Sequence, residues 1–269
     1  MDTTDLLTKF ARIGARIKVA DRPSRRSRVP IGVISLDVQA DRNGEFFEVV
    51  SPGGAYPEVA VLDVQPADRH LLLMVREGGE KHKFLCGHDE RHWFVAAVPE
   101  IAPVGTVRQA KEALKPAEVQ VAQSHQRLRA KARNRRKNAA YRRQGEWFFL
   151  PVPGFAVDES LVLRNEPLRR GNGGKPHWVE SCYRTGGETV YLCARHPNGV
   201  TQSEYREVLN RNPKAKGWGW QTMRRNPVVY VRGSVRHADH KTIVLHGWHR
   251  VLMNTEVQSR AMRNVAFLD

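Results

Sequence analysis

The sequence predicts an α+β protein made of two β-rich, mainly antiparallel halves that a basic helical arm joins. Three observations support this prediction. Short runs of β-branched and aromatic residues recur along the chain, separated by Gly, Pro, Asn and Asp. The intervals between these runs are too short for the crossovers that parallel neighbours require. Between residues 117 and 144 the composition changes to Arg, Lys, Gln and Ala, which favour helix.

We therefore predict an N-terminal α+β domain over residues 1–116, a basic arm over 117–144 and a C-terminal α+β domain over 145–269. Hydrophobic residues make up 41% of the 269 residues, which is enough to form a core. No apolar run reaches the roughly 18 residues of a membrane span. The three cysteines lack the even, paired pattern of a disulfide framework, and no secretory signal opens the chain, so we expect a cytoplasmic protein.

The N-terminal half is expected to begin with a helix over residues 3–19. Its apolar residues recur every three or four positions and share one face: Leu6, Leu7, Phe10, Ile13 and Ile17. Six strand-like runs follow: PIGVISLDV, GEFFEVV, EVAVLDV, HLLLMV, KFLC and HWFVAAV. A helix over residues 107–115 should end before Pro116, which cannot continue it.

The C-terminal half repeats this pattern. Its strand-like runs are EWFFLPV, SLVLRN, HWVESCY, TVYLCAR, VVYVRGSVR, KTIVLH and HRVLMN. TQSEYREVL predicts a helix, because Thr201 followed by Glu204 is a capping-box pattern. QSRAMRNV predicts a last short helix.

The strongest functional signal is charge. Lys and Arg outnumber Asp and Glu by 44 to 28, which gives a net charge of +16. The stretch Arg127 to Arg143 contains nine cations and no acid, whereas solvated helix faces usually mix both signs. Such an excess predicts binding to a polyanion, so we expect nucleic acid as the partner, RNA ahead of DNA, and no membrane. No cofactor is expected.

Two further stretches have the composition of nucleic-acid contacts. The Gly-rich loop EPLRRGNGGKPHW could hold a phosphate on its backbone amides. RNPKAKGWGWQTMRRNP places two tryptophans among cations, where unpaired bases could stack. Across the arm, the Gly-rich loop and the Trp-bearing loop, the predicted contacts are Arg127, Arg129, Lys131, Arg133, Arg135, Arg136, Lys137, Tyr141, Arg142, Arg143, Arg169, Arg170, Lys175, Trp218, Trp220, Arg224 and Arg225.

Two histidine-rich stretches, HKFLCGHDERHW and HADHKTIVLHGWHR, offer chemistry. Their ligand types suit zinc, as His82, Cys86, His88 and His92 or as His237, His240, His246 and His249. Neither set has the spacing of a known zinc motif, so we interpret both as polar residues flanking hairpin turns and predict no metal.

The alternative function is a histidine-dependent nuclease. Imidazoles exchange protons near neutral pH, and His240 and His249, with His246 as a second choice, would be the acid and base. This enzyme would be metal-independent, with a zinc-dependent form as the weaker option. A third possibility is a structural component of a ribonucleoprotein or mobile-element complex, in which the basic arm folds on assembly with protein partners.

The short stretch HGWHR resembles the Gly-x-His-Arg box of the ParB and sulfiredoxin-like nucleotide-binding proteins. The resemblance implies that a strand precedes this box and a helix follows it. It covers five residues, and no functional residue is assigned from it.

Overall fold

A computed structural model of the chain describes residues 3–22, 34–51, 58–100, 103–170, 175–260 and 262. The described residues form a mixed α+β fold whose sheets are mostly antiparallel, which confirms the predicted fold class at that level. None of the described helices is long and apolar enough to cross a membrane.

The first sheet packs under the opening helix. Its elements are α1 (Thr3–Arg12), β1 (Ile17–Ala20), β2 (Ser35–Asp41) and β3 (Gly44–Val50), and the strand order is β1-β3-β2. β1 runs parallel to β3, and β2 pairs antiparallel with it. The helix is shorter than predicted because Gly14 takes a left-handed conformation with φ of 76°, which ends it and turns Ile17 into a strand residue.

A four-stranded meander completes the N-terminal sheets. It consists of β4 (Glu58–Gln65), β5 (His70–Glu77), β6 (Glu80–Asp89) and β7 (His92–Val98), each antiparallel to the next. The meander and the first sheet share one core with α1. In that core the ring of Phe47 meets Phe10 at 5.1 Å and Trp93 at 5.5 Å, both edge to face.

Three helices follow: α2 (Val107–Ala113), α3 (Ala117–His125) and α4 (Ala130–Arg133). The single basic helical arm is not confirmed. Arg127 has a positive φ of 47° and ends α3, α4 is only four residues long, and Arg142 already belongs to a strand. The division into domains 1–116, 117–144 and 145–269 stays a prediction.

The C-terminal half contains nine strands and one α-helix among the described residues. They are β8 (Arg142–Gln144), β9 (Trp147–Pro151), β10 (Leu163–Leu168), β11 (His177–Thr185), β12 (Glu188–Cys193), β13 (His196–Thr201), α5 (Gln202–Arg211), β14 (Gln221–Arg225), β15 (Val228–Arg236) and β16 (Ile243–Met253). Six of the strands form an antiparallel sheet in the order β10-β11-β15-β16-β9-β8. The two runs KTIVLH and HRVLMN form one continuous strand, β16.

A small three-stranded sheet, in the order β13-β12-β14, extends from this large sheet. The β11–β12 and β14–β15 connections both lie where the two sheets join. A Cβ at Gly187 would lie 2.6 Å from the Arg225 carbonyl oxygen, so the close approach there requires glycine. α5 begins with the predicted capping box between Thr201 and Glu204.

The two halves of the chain are in contact. The backbone N–H of Lys241 donates to the Glu90 carboxylate at 2.6 Å, and the N–H of Thr255 donates to the Leu114 carbonyl at 3.1 Å. The β6–β7 turn therefore lies against the β15–β16 loop, where the second histidine-rich stretch begins. Of the last predicted helix, QSRAMRNV, half of the residues lie outside the described ranges.

Candidate functional site

The small sheet presents a group of aromatic rings. β13 supplies His196, and the chain after a short 3-10 turn supplies Trp218 and Trp220; we call these three residues the Trp cluster. The indole N–H of Trp220 donates to the Ala215 carbonyl at 2.8 Å, and Tyr205 of α5 packs edge-on against the same indole at 4.9 Å. These contacts fix the position of Trp220.

The rings of the Trp cluster are nearly parallel. Ring centroids lie 6.1 Å apart for His196 and Trp218, 5.5 Å for His196 and Trp220, and 6.1 Å for the two tryptophans. The angles between the ring planes are only 16–23°. All three side chains are partly exposed.

Cations surround the Trp cluster. The guanidinium of Arg195 lies 4.4 Å above the Trp218 ring, within the range of a cation–π interaction. Several exposed cations on the segments from the β12–β13 turn to β14, which carry the cluster, form no ion pair with any described residue: Arg195, Arg206, Lys214, Lys216 and Arg224. The predicted contact Arg225 instead pairs with Glu188 at 2.5 Å. Aromatic faces beside unpaired cations can hold bases and phosphates together.

Residues 127–143, the basic segment, divide into two groups. Five of the predicted contacts are exposed and form no ion pair with a described residue: Arg127, Arg129, Lys131, Arg135 and Lys137. These five are free to meet an anion. The segment therefore presents a cluster of unbalanced positive charge at the surface even though it is not one helix.

The other predicted contacts of the basic segment are used within the fold. Arg136 pairs with Asp89 and Glu90, and burial lowers the pKa of Arg136 to about 10. Arg142 donates to the Val244 carbonyl at 2.7 Å. Arg133 Nε donates to the Leu128 carbonyl at 3.1 Å, and the Arg143 guanidinium lies 3.7 Å from the Asp89 carboxylate.

Tyr141 is not a surface residue. It is 2% exposed, its ring packs edge-to-face on Phe148 at 5.1 Å, and its hydroxyl donates to the Arg133 carbonyl at 2.6 Å. The structure therefore does not bring Tyr141 to a position where a base could reach it.

The Gly-rich loop is described only at its two ends, since residues 171–174 lie outside the described ranges. Arg169 is exposed. Arg170 is largely buried and pairs with Glu256 at 2.8 Å, and Lys175 pairs with Asp239 at 2.7 Å. Of the three predicted contacts in this loop, Arg169 alone has no ion pair with a described residue.

Three histidines converge at one end of the large sheet, and we call them the His cluster: His177, His237 and His240. β11 begins at His177 and β15 ends one residue before His237; because Trp178 pairs with Arg236, these two histidines are cross-strand neighbours. His240 returns to the same place in the loop before β16. One ring nitrogen from each residue lies within 4.8 Å of the others.

The imidazoles of the His cluster are held in their neutral form. Their rings stack, with centroids 4.2 Å apart for His177 and His237 and 4.7 Å apart for His237 and His240. Burial and the neighbouring imidazoles lower the pKa of His177 to about 3 and that of His240 to about 4. Neutral imidazole is the form that binds a metal ion.

The predicted acid and base do not share a site. His240 precedes β16, whereas His249 is seven residues into that strand, about 20 Å from its start at the usual rise per residue. His249 is 5% exposed and its Nδ1 bonds the Gly247 carbonyl at 3.0 Å, while His246 is exposed. The HGWHR stretch lies inside β16, so strand rather than helix follows it directly.

The first histidine-rich stretch forms no ligand group of its own. His82 and Cys86 are buried in β6, and burial raises the pKa of the Cys86 thiol. His92 contributes to the surroundings of the His cluster instead, because its Nε2 lies 3.7 Å from Asp239. The sequence prediction missed His177 because no local spacing connects it to His237; only the pairing of β11 with β15 does.

Comparison of the chain with protein families, with curated proteins and with solved structures finds no match. What the molecule does must therefore follow from the chemistry of its own surfaces.

Proposed function

We propose that this protein binds nucleic acid, with single-stranded RNA favoured over DNA. The observation that carries the proposal is the Trp cluster, in which three nearly parallel, partly exposed rings stand beside cations that no described acid neutralises. Every base has an aromatic face, so such a surface accepts unpaired bases with little regard to sequence.

Stacking supplies the base contact. Alanine substitution of a stacking side chain usually costs about 1–3 kcal/mol per base. Trp218 is the stronger candidate, because the Trp220 indole is already engaged with Ala215 and Tyr205. Arg195, which lies over the Trp218 ring, would move aside for a base stacking on that face and contact the phosphate of the stacked nucleotide.

The basic segment supplies a second, sequence-independent contact. Its five unpaired cations would neutralise phosphates and release counterions, which makes affinity fall with salt. RNA is favoured because recognition of RNA targets unstacked bases in single strands, which aromatic side chains can hold.

Substitution of Trp218 tests the proposal. We expect Trp218→Ala to weaken binding of a fluorescently labelled, unstructured RNA oligonucleotide about 10- to 100-fold, the range that corresponds to loss of one stacked base. Trp218→Phe keeps an aromatic face and should lose less. Trp178→Ala removes a partly buried tryptophan from β11, outside the Trp cluster, and is the matched control.

Fluorescence anisotropy measures the affinities, and electrophoresis of the recovered RNA reports cleavage. If Trp218→Ala and the native chain bind the RNA with equal affinity, the Trp cluster does not contact the RNA. RNA that is bound and recovered intact supports a binding protein, whereas cleavage that His240→Ala or His249→Ala abolishes would favour the nuclease.

A further inference from the structure

The His cluster contains no residue of the Trp cluster and lies where the two halves of the chain meet, beside Glu90. A small cleft lined by Asp89, His92, Trp93 and Phe94 opens onto His237, Asp239 and His240. We propose that His177, His237 and His240 bind one divalent transition-metal ion, zinc first among them, and leave one coordination position open to water.

The hydrogen bonds of His237 fix which of its nitrogens would bind the ion. Its Nε2 lies 3.2 Å from the carbonyl oxygen of Lys175, which requires that Nε2 carry the proton. Its Nδ1 is therefore unprotonated, and its present partner is the N–H of Asp239 at 3.2 Å. A metal-bound histidine usually donates one N–H to a backbone carbonyl and coordinates through the other nitrogen, so the ion would take the place of the Asp239 N–H at Nδ1.

His177 and His240 direct nitrogens toward a common place. A Cβ added at Gly145 would lie 3.1 Å from His240 Nε2 and 3.3 Å from His177 Nε2. Gly145 has a positive φ of 55° in the β8–β9 turn, so glycine is the residue that leaves this space open. Neither nitrogen of His177 has a hydrogen-bond partner among the described residues, although the residue is only 2% exposed.

Buried polar atoms without partners are costly, and a ligand would remove that cost. Zinc bound by three imidazoles places their nitrogens about 3.3 Å apart, given Zn–N bonds of about 2.0–2.1 Å. The ligand atoms of the His cluster lie within 4.8 Å of one another. The rings are stacked at 21–28° to one another, so binding requires them to turn until each nitrogen lone pair points at the ion.

Two carboxylates, Glu90 and Asp239, lie beside the His cluster, and each also pairs with a cation. Glu90 Oε2 lies 3.7 Å from His240 Nδ1, which places a carboxylate behind the ring whose Nε2 would bind the ion. Asp239 is held by Lys175 and lies next to His92. A carboxylate behind a histidine orients the ring and strengthens it as a ligand. Because Glu90 comes from the N-terminal half, bound zinc would also stabilise the contact between the halves.

The ligand set fits zinc with an open position. Three protein ligands plus water is the arrangement of catalytic zinc sites, whereas structural sites use four protein ligands. Among the described residues, no fourth histidine or cysteine joins the group.

Metal binding by the untagged, full-length chain tests the proposal. After removal of metal with EDTA, zinc is added in competition with a chromogenic chelator, and Co²⁺ is added in a parallel sample as a spectroscopic probe. We expect one zinc ion per chain and the visible absorption of tetrahedral Co²⁺. His237→Gln and His240→Gln should weaken zinc binding by more than about 100-fold, the upper range for loss of a residue that only orients a ligand.

Two variants make the result specific. His246→Gln removes an exposed histidine of β16 and should bind zinc like the native chain. Glu90→Gln should weaken binding about 10- to 100-fold, because it removes the charge behind His240 but keeps an acceptor for Lys241. His177 is buried, so the substitution His177→Gln could prevent folding. In that case the test uses His237→Gln, which changes a partly exposed residue and whose fold is verified by circular dichroism in EDTA.

Substoichiometric zinc in the native chain would overturn the proposal, as would equal affinity in His237→Gln, His240→Gln and the native chain. Loss of binding in His246→Gln would also overturn it, because it would place the ion at the surface of β16. RNA affinity is measured separately, so failure of the metal site leaves the proposed function unaffected.

Discussion

At the scale of single residues, burial decides which of the predicted polar and aromatic side chains can meet a ligand. Tyr141 and Trp218 both stand among cations in the sequence. Tyr141 packs on Phe148 in the core, whereas Trp218 is partly exposed beneath Arg195. Both residues have cations around them in the sequence, so the sequence predicts both as contacts and does not show which of them is buried. Which of them is buried depends on the neighbours that the fold supplies.

His70 gives a pH-dependent prediction at this scale. Its ring fills the space beside Gly87, its Nδ1 bonds the Asp68 carbonyl, and burial with the nearby Lys111 charge lowers its pKa to about 3. The unfolded chain binds this proton near pH 6.5, so the neutral ring contributes stability that is complete above pH 6.5 and is lost as the pH falls toward 3.

We therefore expect a smaller acid destabilisation in His70→Gln than in the native chain. Between pH 7 and pH 5 the difference in the free energy of unfolding should be about 1–2 kcal/mol, the lower value applying if solvent reaches the ring. Urea unfolding at both pH values in EDTA measures it, because EDTA keeps the His cluster free of metal. The same pH dependence in both proteins would mean that His70 does not contribute to the loss of stability in acid.

At the scale of helices and strands, periodic patterns predicted the sheets well. GEFFEVV, HWFVAAV and VVYVRGSVR form β3, β7 and β15 with the predicted ends. The basic arm failed because helix propensity is local, while its conformation is set by distant partners. Arg136 pairs with acids of the β6–β7 turn, and Tyr141 packs with Val119 and Phe148. Neither contact has a signal in the composition of the arm.

The N-terminal cap of α5 gives a prediction at this scale. The helix has no fully buried residue, so it depends on its capping box and on the stacking of Tyr205 against Tyr191 at 4.4 Å. Thr201→Ala removes the side-chain acceptor for the Glu204 N–H and should lower the free energy of unfolding by about 1 kcal/mol.

Thr201→Ser keeps the hydroxyl and is the matched control. Urea unfolding of both variants, followed by circular dichroism, compares them with the native chain. If the alanine variant is as stable as the serine variant, the capping box does not hold the small sheet's helix in place.

At the scale of the whole molecule, the functional groups come together through contacts between distant segments. The entire small sheet with α5 lies between His177 and His237 in the sequence, and Glu90 reaches Lys241 across the two halves. The spacing of residues along the chain identifies the pair His237 and His240. It does not identify His177, which is distant in sequence. In contrast, net charge is a property of the whole chain, so composition alone could predict a polyanionic partner.

The position of the charge, as distinct from its total, gives the last prediction. One variant carries four substitutions to Glu in the basic segment, each at an exposed cation without an ion pair to a described residue: Arg127, Arg129, Lys131 and Arg135. If each contacts one phosphate of a single strand, the slope of log affinity against log salt should become shallower by about 3, at roughly 0.7 per contact. Anisotropy titrations over a series of salt concentrations measure this slope.

A control variant with the same total charge separates a local contact from general attraction. It reverses four exposed cations of the N-terminal half: Arg12, Arg22, Arg42 and Lys81. Long-range attraction depends on the summed charge and is screened beyond about 10 Å at 0.1 M salt, so the control should slow association but leave most of the slope. An equal loss of slope in both variants would mean that the basic segment is no more than part of a positive surface. An unchanged slope in the first variant would mean that the segment does not contact nucleic acid, and the Trp cluster would then have to hold the strand with its own cations.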